Sequence, residues 1–242
     1  MCEQLTAMFP DLSSLSDEQL FQLDETKDVH EINRIRHQPE LLDRLAASLG
    51  PEDFFSHFRI TLIRGHRAND AGEYDRTLDM LSAYLTRYAP CFHKFNPVVL
   101  NRFAISLLRL MGDTWLLKGN DAEAANHYLR ILTLPRLERS RPFPLLVAAS
   151  RVTMGAWMDF CHTGNPERLV QIGRGVELFR LGMEKAYQPD QQEFLTLEIG
   201  DMQQQVPKPH FFREVAREAA IMSEIIDKIH DAWNQDERFF FK

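Results

Sequence analysis

The sequence predicts an all-α protein built from paired helices. Apolar residues recur at steps of three and four along most of the chain, which is the spacing of one helical face. Gly72, Gly119 and Gly164 each end one apolar run and precede another, and they lie 47 and 45 residues apart. Alternating apolar patterns and Asn-Gly or Asp-Gly turns, which would indicate strands, are not evident. These features favour helix pairs that repeat along the chain and bury a core by stacking.

Composition favours a cytoplasmic protein that binds neither nucleic acid nor membranes. The 242 residues include 28 basic and 35 acidic side chains, a net charge of −7, which does not favour binding to the phosphate backbone. No apolar run approaches the roughly 20 residues that span a bilayer, and the first residues do not resemble a secretory signal. Cys2, Cys91 and Cys161 are few and widely separated, which is typical of reduced thiols.

Residues 1–53 are predicted to be an acidic, helical N-terminal extension. They hold 12 acidic and 4 basic side chains, a net charge of −8. A capping-box pattern at Ser16 predicts a short helix after it. Two more helical segments are expected at about 28–37 and 40–49, the second ended by Gly50-Pro51.

Residues 54–205 are predicted to form the repeat domain. The first pair begins near Phe54 and is divided at Gly72; the second begins at Asn96-Pro97, a capping residue followed by proline at the first helical position. The third pair is expected at 145–162 and 167–187. One further helix is predicted at 191–205. Trp115 and Trp157 lie on the apolar faces and are expected in the core.

Residues 206–242 are predicted to contain one long helix that follows a proline-rich break. Its apolar residues are separated by alternating steps of three and four, as in a coiled-coil seam. The seam consists of Phe212, Val215, Ala219, Met222, Ile226, Ile229 and Trp233. Such a face has to be covered, either by folding back as a cap on the last repeat or by pairing in a homodimer. The length of the seam favours the homodimer.

The first two pairs resemble the tetratricopeptide repeat. Gly65 and Gly112 each lie seven residues before the glycine of the turn, at the small positions of that pattern. The large and small core positions of the family are matched by Tyr74, Leu81 and Leu85 in the first pair and by Trp115, Ala124, Tyr128 and Leu132 in the second. The third pair matches less well. The resemblance covers about residues 54–187 and implies a right-handed superhelix whose concave groove binds peptides.

The longer period, the Asn-capped second helices and the long last helix also resemble the peptide-receptor domain of Rgg-type bacterial transcriptional regulators. Those regulators begin with a helix-turn-helix domain. Residues 1–53 are acidic and interrupted by Pro39, so they do not match it. The resemblance implies a receptor module without the DNA-binding half.

The tetratricopeptide register predicts which residues line the groove, because the first helix of each pair faces it in that family. Arginine and asparagine can hydrogen-bond the backbone of an extended peptide, and methionine adapts to varied apolar side chains. The predicted peptide-binding residues are Arg59, His66, Asn69, Ser106, Arg109, Arg151, Met154 and Met158, with Leu62 and Asp113 beside them. A solvated polar surface with gap-filling methionines is the alternative interpretation.

No catalytic, metal-binding or cofactor-binding pattern was found in the sequence. Phosphate-binding loops, nucleophile elbows and zinc helices are absent, and the nine histidines do not form ligand pairs at helical spacing. The leading hypothesis is therefore a non-enzymatic, regulatory module that binds a peptide or protein segment and needs no cofactor. A helical enzyme with an unrecognised active site and a structural adaptor are the alternatives.

Overall fold

The computed structural model describes the backbone of residues 27–188, 194–199, 202–207 and 209–235 and the side chains of 31–188 and 212–234. The described chain is helical apart from one two-stranded hairpin, so the predicted all-α class is confirmed at that level. The short helix predicted after Ser16 lies outside the described residues.

The helices are α1 (Lys27–Ile35), α2 (Pro39–Ser48), α3 (Phe54–Asp70), α4 (Tyr74–Tyr88), α5 (Pro97–Leu117), α6 (Asp121–Leu129), α7 (Pro142–Thr163), α8 (Glu167–Ala186) and α9 (Pro209–Gln235). Short 3₁₀ helices lie at Ala89–Lys94, Arg130–Thr133 and Leu137–Arg139. The strands are β1 (Phe194–Ile199) and β2 (Met202–Pro207), which pair antiparallel.

The hairpin lies where the apolar pattern predicts a helix at 191–205, so that prediction is wrong. Its register pairs Phe194 with Pro207 and Ile199 with Met202, so two residues separate the strands. The sequence between them is Gly200-Asp201, a dipeptide typical of tight hairpins. Apolar residues in such a short run fit a helical spacing and an alternating one, so periodicity alone cannot choose between them.

The chain divides into two compact units, residues 1–120 and 121–242. The division falls between the two helices of the second predicted pair. The domain boundaries predicted at 53/54 and 205/206 differ from this division between units. They stay predictions.

Aromatic rings form the core of the first unit. Phe54 lies at its centre, with ring centroids 4.6 Å from Phe95 and 5.2 Å from Phe103. Tyr88 closes one side of this core, and its hydroxyl donates to the Pro51 carbonyl at 3.0 Å. A smaller cluster of Ile32, Ile35, Leu42 and Ile60 holds α1 and α2 against α3.

Helix α7 is the central helix of the second unit. Every residue from 145 to 153 is buried, as expected for a helix that is covered on all sides. Helices α6, α8 and α9 pack against it. Glycines permit the close approaches: a Cβ at Gly155 would lie 2.8 Å from Tyr128 Cβ, and one at Gly182 would lie 2.9 Å from Leu146 Cδ2.

The turns after α3 and α5 have the same hydrogen-bond pattern. Gly72 and Gly119 have φ of 76° and 75°, in the left-handed region that favours glycine. In each turn the glycine N–H donates to the carbonyl three residues back, at 3.0 Å and 2.9 Å. The next N–H donates five residues back, to Ala68 at 2.7 Å and to Trp115 at 2.9 Å. The turn at Gly164 differs, because its N–H donates four residues back, to Phe160.

Helix α9 packs against α7 by a face that coincides with the predicted seam in part. The residues buried there are Val215, Glu218, Met222 and Ile225. Phe212 and Ile226, two members of the predicted seam, keep 37% and 38% of their surface exposed. Ala219, Ile229 and Trp233 are half-buried. The packing on α7 is the contact expected of a cap, and the homodimer stays a prediction.

Candidate peptide-binding surface

In the first unit, helices α3 and α5 carry five of the eight predicted groove residues. Close approach at Gly65 holds the two helices together, since a Cβ there would lie 2.9 Å from Leu110 Cδ2. Helix α4 is held at the same point, because the Thr77 hydroxyl donates to the Gly65 carbonyl at 3.0 Å. The polar residues of α3 and α5 are therefore presented by a tightly packed set of helices.

Arg109 lies on a polar stripe along α5. It forms an ion pair with Asp113 one turn later, with 3.3 Å between Arg109 Nε and Asp113 Oδ2. The two side chains keep 24% and 25% of their surface exposed, so the pair is accessible but partly desolvated. Ser106 is half-buried on the same stripe, and its hydroxyl donates to the Arg102 carbonyl at 3.0 Å.

Arg102 belongs to this stripe, although it is not among the residues predicted from the sequence. Positions 102, 106, 109 and 113 are separated by steps of four, three and four, which places them on one face of the helix. All four are half-buried on a helix with nine buried residues, including Val99, Phe103 and Leu110. The spacing from Ser106 was a sequence signal that could have identified Arg102.

On α3, Arg59 is half-buried and His66 is exposed. Leu62, between them, is half-buried and packs against the aromatic core. Arg59, Leu62 and His66 are separated by steps of three and four, so they share one face of α3. These side chains and the α5 stripe lie on neighbouring helices. We refer to them together as the α3–α5 surface, defined by Arg59, His66, Arg102, Ser106, Arg109 and Asp113.

Asn69 is not part of this surface, in contrast to the prediction. It is buried, and its Nδ2 donates to the Thr114 hydroxyl at 2.9 Å. Thr114 also donates to the Leu110 carbonyl of its own helix at 2.7 Å. Asn69 therefore joins α3 to α5, and a bound peptide would have to break that bond to reach it.

The three predicted residues of the second unit do not form a comparable surface. Arg151 keeps only 7% of its surface exposed, and its guanidinium lies 5.9 Å from the centre of the Tyr128 ring. Its Nη1 is 3.5 Å from the Ser150 hydroxyl. Met154 and Met158 are half-buried. Arg151 is a structural residue here, because its charged group lies within the packing of α6 and α7.

Both tryptophans are half-buried, which corrects their predicted place in the core. Lys118 Nζ lies 4.9 Å from the centre of the Trp115 ring, a cation–π contact. Trp157 packs at 5.9 Å from the Phe160 ring. Amphipathic rings of this kind commonly keep one edge at the surface.

Two histidines have pKa values lowered by burial. The pKa of His57 falls because the ring is partly desolvated, and its contact with the Gly50 carbonyl, 3.0 Å from Nε2, opposes that effect. Burial also lowers the pKa of His127, and Arg130 adds to the effect. Burial raises the pKa of Tyr88 to about 12. None of these groups belongs to the α3–α5 surface.

Among the described residues there is no group of three or more His, Cys, Asp or Glu side chains placed to hold a metal ion. Within the same part of the chain, no helix is both long and apolar enough to cross a bilayer.

Comparison with known proteins identified no relative of this chain. No model of a protein family matches the chain, and no curated protein or solved structure matches it either.

Proposed function

We propose that this chain is a non-enzymatic regulatory module that binds a peptide or protein segment on the α3–α5 surface. The observation that carries the proposal is the partly desolvated Arg109–Asp113 pair on the α5 stripe, with Arg59 and His66 on the neighbouring helix. Hydrogen bonds from such half-buried charged groups are stronger than those of fully solvated ones.

The proposed architecture is a right-handed, tetratricopeptide-like repeat. Its support is the hydrogen-bond pattern shared by the turns at Gly72 and Gly119, together with the close approach at Gly65. In that register Arg59 and Ser106 occupy equivalent positions on α3 and α5. A peptide lying along these first helices would meet arginine donors that suit its backbone carbonyls, and the hydroxyl oxygen of Ser106 can accept a hydrogen bond from a backbone N–H.

The test uses a random dodecapeptide display library selected on the intact protein. Selected peptides are synthesised with a fluorescent label, and their affinity is measured by anisotropy for the wild type and for Arg59→Gln and Arg109→Gln. Loss of one charged hydrogen bond, about 1.5–3 kcal/mol, corresponds to binding weakened by roughly tenfold or more.

The matched control is Arg76→Gln. Arg76 lies on α4 in the same unit, is exposed and pairs with Glu73 three residues earlier, so its loss changes net charge equally. The proposal requires Arg76→Gln to bind as the wild type does. Equal binding by all three variants, each shown to be folded by circular dichroism, would contradict it.

A further inference from the structure

An open cleft of about 410 Å³ lies in the second unit, beside α6 and the ends of α7 and α8 that meet at the Gly164 turn. It is lined by Asn126, Leu129, Arg130, Thr133, Asp159 and Arg168. Ligand-binding clefts in proteins typically measure about 300–1,000 Å³. A second depression in this unit, beside Glu138 and Arg174, measures about 100 Å³ and falls below that range.

The two arginines of the cleft have different environments. Arg168 forms an ion pair with Asp159, and its Nη1 also donates to the Gln171 side chain at 2.9 Å. Both members of the pair are about three-quarters buried, so Arg168 is held in one orientation. Arg130 is exposed and forms no ion pair with a described residue.

The charged residues that line the cleft are Arg130, Arg168 and Asp159, and their charges sum to +1. Asp159 neutralises Arg168, so the remaining charge belongs to Arg130. A guanidinium carries five N–H donors, and the bonds of Arg168 to Asp159 and Gln171 leave further donors for a ligand. The Asn126 amide, also exposed, adds two more donors. The partly buried Leu129 supplies an apolar wall.

We infer that this cleft binds a carboxylate group, with Arg130 as the principal cation and Asn126 and Arg168 as further donors. Planar guanidinium groups match carboxylates by paired hydrogen bonds. Among the residues that line the cleft, Asp159 is the only one with a negatively charged acceptor. The site lies in the second unit and shares no residue with the α3–α5 surface. The inference is therefore independent of the proposed function.

The test titrates the intact, ¹⁵N-labelled protein with three probes. They are the blocked hexapeptide acetyl-Glu-Leu-Glu-Glu-Leu-Glu-amide, its counterpart with lysine in place of each glutamate, and glutarate. The acidic peptide should produce saturable shifts of backbone amides in 126–133 and at 168, and the lysine peptide should not. Saturable shifts by glutarate at the same amides would identify a small dicarboxylate as sufficient; shifts by the peptide alone would identify a peptide ligand.

Variants at Arg130 separate a specific site from general attraction. Arg130→Gln should weaken binding of the acidic peptide by at least tenfold, and Arg130→Lys, which keeps the charge but loses the planar donors, should weaken it less. Arg180→Gln is the matched control, because Arg180 is an exposed arginine of α8, paired with Glu184, and does not line the cleft. It should bind as the wild type does.

Three results would overturn the inference: no saturable shift with either carboxylate probe, equal affinity of the acidic peptide for Arg130→Gln, or equal binding of the lysine peptide. Arg109→Gln, on the α3–α5 surface, should leave binding in the cleft unchanged. Failure at one site therefore leaves the result at the other site interpretable.

Discussion

Asn69 and Thr114 are separated by 45 residues of sequence and share a buried hydrogen bond, with 2.9 Å between Asn69 Nδ2 and Thr114 Oγ1. The bond joins the last turn of α3 to the last turn of α5, just before the two turns that share one hydrogen-bond pattern. It fixes the spacing of the helices that carry the α3–α5 surface.

Thr114→Val should lower the free energy of unfolding by about 1–3 kcal/mol. Valine keeps the shape of threonine but leaves the buried Asn69 amide without its partner. Chemical denaturation measures the change. Thr114→Ser, which retains the hydroxyl, should recover part of the loss, and Thr86→Val, at an exposed position of α4, is the matched control. A Thr114→Val protein as stable as Thr86→Val would show that the bond contributes nothing.

Two glycines of α8, two residues apart, should respond oppositely to alanine. A Cβ at Gly173 meets nothing within 4 Å, so Gly173→Ala should stabilise the protein by about 0.5–1 kcal/mol through helix propensity. A Cβ at Gly175 would lie 2.1 Å from Thr153 Oγ1 and 3.2 Å from the Ala149 carbonyl oxygen. Gly175→Ala should therefore destabilise the protein by about 1–3 kcal/mol.

Thermal and chemical denaturation of the two alanine variants measures both signs in one experiment. Each variant serves as the control for the other, since both make the same chemical change in the same helix. Destabilisation of equal size at both positions would contradict the close packing of α8 on α7.

The buried carboxylate of Glu218 predicts a role for Ser150 in holding α9 on α7. Glu218 has no exposed surface, and its Oε2 accepts a hydrogen bond from the Ser150 hydroxyl at 3.0 Å. Ser150→Ala should cost about 1.5–3 kcal/mol, the range for a hydrogen bond to a charged group. It should also speed hydrogen exchange in α9 more than in α3 or α4.

Ser223→Ala, at an exposed position of α9, is the control for this experiment. If Ser150→Ala changes neither stability nor the exchange of α9 relative to Ser223→Ala, the serine does not anchor the helix.

Stability should fall as the pH is lowered from 7 towards 5. The pKa values of His57 and His127 are below the ordinary 6.5 because burial disfavours the charged ring. The unfolded chain then binds more protons than the folded one as the pH falls through 6.5, which favours unfolding. The free energy of unfolding is therefore highest at pH values above 6.5 and decreases as the pH falls below that value.

The double variant His57→Gln/His127→Gln should show a weaker pH dependence of unfolding between pH 7 and 5 than the wild type does. His93→Gln, at an exposed position, should leave the dependence unchanged. An unchanged slope in the double variant, measured by denaturant titration at each pH, would count against the burial of these rings.

Local signals predicted the all-α class and the glycine turns correctly. The turns at Gly72, Gly119 and Gly164 were predictable because a left-handed residue after a helix strongly favours glycine. The start of α5 was predictable because Asn96 caps it, with Oδ1 accepting from the Val98 N–H at 2.9 Å. These features depend on residues close in sequence, and the sequence therefore carries them directly.

Features that depend on distant partners were predicted poorly. The buried face of α9 includes Glu218, although a seam defined by apolar residues leaves a charged residue out. Glu218 can be buried because its carboxylate accepts a hydrogen bond from Ser150 of another helix. Asn69 and Arg151 were assigned to a ligand, whereas the structure uses them within its own packing. A polar side chain suited to a peptide is equally suited to a neighbouring helix, and sequence alone does not separate the two.

Photo-crosslinking locates a bound peptide on the protein and so tests the proposed binding at the α3–α5 surface. A library-selected dodecapeptide carrying a benzophenone group is irradiated with the intact protein, and the attachment sites are mapped by mass spectrometry. We expect crosslinks within residues 59–66 and 102–113 that are lost on competition with unlabelled peptide and reduced in Arg109→Gln. Crosslinks that compete in the same way but fall only on other helices would contradict it.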